Sequence, residues 1–149
     1  MNEKDDELIV WSARLVCGIK IIDEQHKGLI DLVNDMIRNA TGNNVHEHEY
    51  FHKIVHDAVI YMRTHFATEE KIMLLTKFPG FAEHKKEHDN FILAIAEDIK
   101  DYEAEKKYTL SSFSRLVKDW LLSHISFFDS LYFEHLKLMV RTSNMGIIA

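Results

Sequence analysis

Two short stretches decide the fold: His65-Phe66-Ala67-Thr68-Glu69-Glu70 and, after a brief break, His84-Lys85-Lys86-Glu87-His88. Each stretch carries two metal-ligand side chains four residues apart. Four residues of an α-helix span about 6 Å of rise and about 40° of rotation, so both side chains of a pair leave the same face. Two such pairs on consecutive helices can converge, which is the pattern of a metal site inside a helical bundle.

Further candidate ligands flank this hairpin. His26 ends the stretch Asp23-Glu24-Gln25-His26, and His124 and Asp129 lie near the C-terminal end. A lone histidine on an apolar helix face is more often a packing residue than a ligand, so the prediction depends on the whole set. That set is His26, His65, Glu69, His84, His88, His124 and Asp129.

The spacing of His124 and Asp129 is irregular for a shared face. Five residues rotate a regular α-helix by about 140°, so the two side chains would diverge. Either the helix contains a π-bulge between them, a common device at functional sites, or Asp129 is not a ligand. We predict the irregularity.

Apolar residues recur at helical spacing in four segments, at about 23–39, 46–75, 81–104 and from 109 or 111 to 140. Asp23 is the candidate N-cap of the first, and Leu131 and Leu136 are expected to face inward on the last. The short connections make neighbouring helices antiparallel. The prediction is an all-α, up-down-up-down four-helix bundle in a single domain, with an N-terminal arm (1–20), the bundle (about 21–140) and a tail (141–149).

Composition narrows the class of protein. The net charge is −6 without a basic run, which disfavours nucleic acid as a partner. No apolar run approaches the roughly 20 residues of a membrane span. The acidic first residues do not resemble a signal peptide, and Cys17 is the single cysteine, so a cytoplasmic protein without a thiolate metal cluster is expected.

A second row of histidines could be mistaken for ligands. His48, His52 and His56 repeat every four residues, but His56 lies nine positions, and so about 180°, from His65. We expect this row to face solvent, with adventitious metal binding as the lesser alternative. Glu70 lies about 140° from His65 and is expected at the surface or behind the ligands.

Five imidazoles and two carboxylates without thiolate suit iron, manganese or zinc. Seven ligands are too many for one ion. Two octahedral ions offer twelve coordination positions. Five histidines fill one position each, and two bridging carboxylates and one bridging oxygen fill two positions each, which makes eleven. One open position in an apolar pocket suits a small diatomic molecule. The expected pocket lining is Leu29, Phe66, Trp120, Leu121 and Ile125.

The ordered ligand set, with Ile21-Ile22-Asp23-Glu24-Gln25-His26-Lys27 and Phe78-Pro79-Gly80 around it, resembles the single-domain bacterial members of the hemerythrin family. That resemblance spans about residues 9–135. It implies two non-haem iron ions with an oxo or hydroxo bridge, one held by His84, His88 and His124 and the other by His26 and His65. Glu69 and Asp129 would bridge them, and dioxygen would bind at the two-histidine iron.

The resemblance implies reversible dioxygen binding for storage, delivery or scavenging, and not an enzyme. Two alternatives stay open. One is an oxygen or redox sensor that acts by contact with a partner protein. The other is a di-iron oxidase, peroxidase or nitric-oxide-handling enzyme, although related di-iron bundles with oxidase activity use more carboxylate ligands.

Overall fold

The computed structural model describes residues 7–104 and 110–143, and the predicted four-helix bundle is confirmed. A 3₁₀ turn at Ala13–Leu15 lies in the arm. Residues 1–6 of the predicted arm, residues 144–149 of the predicted tail and the predicted helix start at Thr109 lie outside the described ranges. Residues 141–143, predicted to belong to the tail, form the end of the last helix instead. The helices are α1 Lys20–Asn39, α2 Asn44–Leu75, α3 Phe81–Glu103, α4 Leu110–Ser123 and α5 Ser130–Ser143, with a π-helical segment His124–Asp129 joining α4 to α5.

The start of α1 corrects the prediction for Asp23. The helix begins at Lys20 with Ile19 as N-cap, so Asp23 lies inside its first turn. The Asp23 carboxylate reaches back instead and accepts hydrogen bonds from the backbone N–H groups of Cys17 (2.8 Å) and Gly18 (3.1 Å). Asp23 therefore fixes the arm against α1, and its charge also suits the positive end of the helix dipole.

The ends of α2 follow known capping rules. The side chain of Asn43 accepts a hydrogen bond from the backbone N–H of His46 at 3.1 Å, which caps the N-terminus. At the other end, Phe78 N–H donates to Met73 O (2.9 Å) and Lys77 N–H donates to Leu74 O (3.2 Å). This is a Schellman motif, and its left-handed position is occupied by Lys77 with φ +54°.

The candidate ligands lie in a polar layer between two apolar clusters. One cluster contains Leu29, Met62 and Phe66, and the other contains Ile22 and Met73. Since His26 lies between Ile22 and Leu29 along α1, the ligand layer crosses the bundle where the clusters meet. Apolar packing on both sides keeps this layer out of contact with bulk water.

The arm is held to the bundle by a buried pair of hydrogen bonds. The side chain of Asn34 accepts from Ile9 N–H at 2.7 Å and donates to Ile9 O at 2.9 Å. Lys118 Nζ donates to the backbone carbonyl of Glu7 at 2.6 Å. The Asn34 contacts satisfy the backbone groups of the buried residue Ile9, and the Lys118 contact adds a second attachment of the arm.

The inward face of α5 differs from the prediction at one position. Leu131 is 53% exposed, whereas Tyr132, Phe133 and Leu136 are buried. The extra residue of the π-helical segment changes which positions of α5 turn toward the core, and a regular α-helical count does not include it. None of the helices in the described ranges has the length and apolarity required to cross a membrane.

Candidate metal centre

Four helical segments each bring ligand side chains into the polar layer. His26 comes from α1, and the π-helical segment supplies the last two residues. The hairpin of α2 and α3 supplies the others. All are at most 2% exposed, and together they are His26, His65, Glu69, His84, His88, His124 and Asp129.

These side chains form two groups that share both carboxylates. Histidines 84, 88 and 124 lie with Glu69 and Asp129 in the first group. The other two histidines lie with the same carboxylates in the second. Within each group, one ligand atom per residue lies within 4.8 Å of all the others. The geometry therefore offers two adjacent positions for metal ions, one with three imidazoles and one with two.

Each carboxylate directs one oxygen at each group. Glu69 Oε1 lies 3.2 Å from His26 Nε2 and 2.6 Å from His65 Nε2, whereas Oε2 lies 3.2 Å from His84 Nε2 and 3.3 Å from His88 Nε2.

Asp129 divides its oxygens in the same way. Its Oδ2 lies 3.2 Å from His26 Nε2, and its Oδ1 lies 3.0 Å from the Nε2 atoms of both His84 and His124. Two carboxylates with this division have the geometry of bridging ligands between two ions.

The separations between donor atoms fit metal ions. Bonds of about 2.1 Å at right angles place neighbouring ligand atoms about 3.0 Å apart. The Nε2 atoms of His88 and His124 are 3.0 Å apart, and the nitrogen–oxygen distances around Glu69 and Asp129 are similar. The donor set of imidazole nitrogens and carboxylate oxygens suits iron, manganese or zinc.

The buried charges shift the pKa values of these groups in the metal-free chain. Burial alone would lower the pKa of His26 and His124, but hydrogen bonds and attraction from Asp129 and Glu69 raise them to about 9 and about 10. Burial would raise the pKa of Glu69, yet its histidine neighbours, above all His65, hold it well below the usual value. A metal ion bound here would take the place of these protons, because ligand imidazoles bind metal in the neutral form.

The predicted irregularity between His124 and Asp129 is confirmed. Residues 124–129 form a π-helical segment with α-helical backbone on both sides. A π-turn closes hydrogen bonds between residues five apart, so side chains at that spacing share a face. Asp129 therefore points into the core beside His124, with its Oδ1 3.0 Å from His124 Nε2.

The solvent-facing row of histidines is also confirmed as exposed. His48, His52 and His56 all lie at the surface of α2. The rings of His48 and His52 have their centroids 4.7 Å apart, but neither residue belongs to the ligand layer.

Of the residues predicted to line a pocket, two pack directly on ligand rings. Phe66 stacks on His88 with ring centroids 3.9 Å apart, and Trp120 stacks on His124 at 4.3 Å. Both therefore contact the three-histidine group. Ile125 is buried in the same apolar cluster. Leu29, Trp120 and Leu121 line a neighbouring apolar cavity of about 10 Å³.

Contacts behind the ligands include one residue that the sequence analysis did not assign. The side-chain oxygen of Gln25 lies 2.7 Å from His65 Nδ1, and Glu70 Oε2 lies 3.0 Å from His88 Nδ1. Glu70 was expected at the surface or behind the ligands, and it occupies the latter place. The adjacency of Gln25 to His26 was the available signal, but a neighbour in sequence points about 100° away on a helix.

Comparisons with known proteins agree with this geometry. The family model for the hemerythrin HHE cation binding domain matches residues 17–136. A bacteriohemerythrin of Methylococcus capsulatus is 32% identical over 126 residues, covering 84% of this chain and 94% of the relative.

The hemerythrin of Themiste dyscrita is 27% identical over 122 residues, covering 82% of this chain and 88% of that protein. A crystal structure of wild-type hemerythrin superposes with a TM-score of 0.76 at 32% identity, covering 87% of this chain and 98% of that one. The two groups of ligand residues, the four-helix bundle and these matches together show that the chain belongs to the hemerythrin family.

Proposed function

We propose that this protein binds dioxygen reversibly at a pair of non-haem iron ions. The observation that carries the proposal is the division of Glu69 and Asp129, each of which directs one oxygen at each histidine group. A pair of ferrous ions held between these residues would supply the two electrons that dioxygen takes up when it binds as peroxide. The hemerythrin relatives support the choice of iron and of dioxygen.

The proposed roles of the ligands follow the two groups. His84, His88 and His124 would hold one iron, and His26 and His65 would hold the other. Glu69 and Asp129 would be shared between the two ions. With five imidazoles and two carboxylates the set is poorer in carboxylate than that of related oxidase bundles, which favours binding over turnover.

The side chains around the ligands keep the site dry. Phe66 and Trp120 cover the imidazoles of His88 and His124, and Leu29 and Leu121 line the apolar cavity beside them. An apolar cavity of this kind stays free of water, since it offers no hydrogen-bond partners. The cavity adjoins the ligand layer at Trp120, which stacks on His124 of the three-histidine group.

The test uses the purified full chain loaded with ferrous iron under anaerobic conditions. Visible spectra are recorded while air is admitted and then removed under argon. A band that appears with air and disappears on its removal, over repeated cycles and with two irons per chain, supports reversible binding. Irreversible bleaching, or consumption of an added substrate in proportion to dioxygen, would overturn the proposal in favour of an oxidase.

A further inference from the structure

One histidine of each group has a hydrogen-bond partner on its outer nitrogen, and the two partners differ in charge. His65, in the two-histidine group, is contacted at Nδ1 by the neutral amide of Gln25 at 2.7 Å. His88, in the three-histidine group, is contacted at Nδ1 by the carboxylate of Glu70 at 3.0 Å. A partner on the outer nitrogen of a metal-binding imidazole fixes the ring and tunes its basicity.

A chain of hydrogen bonds fixes the orientation of the Gln25 amide. Thr68 Oγ1 donates its single proton to the backbone carbonyl of Thr64 at 3.0 Å, so it can only accept from Gln25. Gln25 Nε2 donates to Thr68 Oγ1 at 3.1 Å, which turns the amide oxygen toward His65. His65 Nδ1 must therefore carry the proton, and its Nε2 presents a lone pair to the polar layer.

The same tautomer follows for His88 by a different route. A carboxylate accepts hydrogen bonds, so the Nδ1–H group of His88 donates a hydrogen bond to Glu70 Oε2. The lone pair on His88 Nε2 is then available to bind a metal ion. Glu70 is largely shielded, with 20% of its side chain exposed. Lys85 Nζ lies 4.0 Å from its other oxygen, but Lys85 is 45% exposed and its charge is screened by solvent.

We propose that Gln25 and Glu70 are positioning residues that make the two metal positions electronically unequal. The inference rests on the proposed function in requiring that the two groups hold metal ions. Glu70 draws the Nδ1 proton of His88 toward itself and raises the electron density at Nε2. The three-histidine position therefore favours the more highly charged ion. Gln25 orients His65 without adding charge, so the two-histidine position is the weaker electron donor.

The test exchanges the two partners with near-isosteric side chains. Glu70→Gln removes the charge and keeps a hydrogen-bond acceptor, and Gln25→Glu adds a charge in the same place. Asp89→Asn is the matched control, because Asp89 pairs with Lys85 Nζ at 2.8 Å near Glu70 and is not among the contacts of the ligand imidazoles described here. Helical content and thermal unfolding verify the fold of each variant.

Two measurements that do not depend on dioxygen decide the question. The first is stepwise Zn²⁺ affinity by chelator competition, and the second is the reduction potential of the iron-loaded protein. We expect Glu70→Gln to weaken one Zn²⁺ step by about tenfold and to raise the potential, and Gln25→Glu to do the reverse. A tenfold change corresponds to about 59 mV for a one-electron step. Asp89→Asn should change the affinity less than twofold.

Shifts in the same direction for both exchanges, or shifts as large in Asp89→Asn, would overturn the inference. If one exchange does not fold, the other still decides, since each has its own expected direction. A wild-type protein that holds two irons but shows no reversible band would contradict dioxygen binding and leave both measurements valid. The two failures are therefore distinguishable.

Discussion

The Nε2 atoms of His88 and His124 lie 3.0 Å apart in the protein core, although the residues belong to different helical segments. Two imidazole nitrogens at this distance can share one proton or bind one metal ion, and the nearby Glu69 and Asp129 favour a positive charge between them. The pair thus joins α3 to the π-helical segment within the ligand layer.

Replacing His88 with alanine should strip metal from the core. Removal of one of three imidazoles leaves the three-histidine position with too few donors, so we expect His88→Ala to retain about one iron per chain or less. His52→Ala, on the exposed face of the same bundle, is the control and should keep the wild-type content. Iron is measured by a colorimetric chelator assay on folded protein. Equal loss in both variants would contradict the assignment of the two faces.

Lys77→Gly should stabilise the protein. Lys77 occupies the left-handed position of the Schellman motif with φ +54°, a conformation that a side chain disfavours. Glycine relieves this strain but loses more freedom on folding, which leaves an expected gain of about 0.5–1 kcal/mol in the free energy of unfolding by urea. Lys77→Ala keeps the Cβ atom that disfavours a positive φ and should not increase the free energy of unfolding. A destabilised Lys77→Gly protein would show that the Lys77 side chain contributes more than its backbone costs.

Gly28→Ala should destabilise the contact between α1 and α2. A Cβ at Gly28 would collide with the Tyr61 hydroxyl, which donates to Gln25 O at 3.2 Å. We expect a cost of about 1–3 kcal/mol from overpacking.

In a Tyr61→Ala background the obstruction is gone, and Gly28→Ala should instead stabilise α1 by up to about 1 kcal/mol through helix propensity. Urea unfolding of the four proteins of this double-mutant cycle measures the coupling. Additive effects would show that Tyr61 moves aside without loss.

The metal-free protein should be most stable in weakly acidic solution. The pKa values of His26 and His124 are raised from 6.5 to about 9 and about 10. The contribution of these protonated imidazoles to the free energy of unfolding is therefore fully present below about pH 6.5. It is lost as the pH rises through 9 to 10. The lowered pKa of Glu69 contributes stability above about pH 4.5 that is lost as the pH falls.

Urea unfolding of the metal-free chain between pH 4 and 10 checks this expectation. The metal-loaded protein serves as the comparison, since its imidazoles are already neutral and should not show the alkaline decline. A metal-free protein with constant stability from pH 6 to 10 would contradict it.

Much of the site could be predicted from spacing alone. The four-residue spacing predicted that His65 lies beside Glu69 and His84 beside His88, because residues four apart share one face of an α-helix. The five-residue step from His124 to Asp129 was informative for the same reason, since it conflicts with a regular helix.

What could not be predicted depends on packing between elements. The contact of Gln25 with His65 requires the positions of α1 and α2 relative to each other, which no local pattern contains. Asp23 was predicted to be the N-cap of α1, but Ile19 occupies that position. The Asp23 carboxylate therefore accepts a hydrogen bond from the arm instead. The prediction for Leu131 was wrong because the rotation of α5 about its axis depends on the extra residue in the preceding π-helical segment.

The exposed pair His48 and His52 affects how the protein is purified. Their rings lie 4.7 Å apart on one turn of α2, a spacing at which two imidazoles chelate nickel or copper. The untagged chain should therefore be retained by an immobilised-nickel column and could leave it with metal bound outside the core. Iron and zinc stoichiometries are best determined on material prepared by ion exchange, without contact with a nickel column.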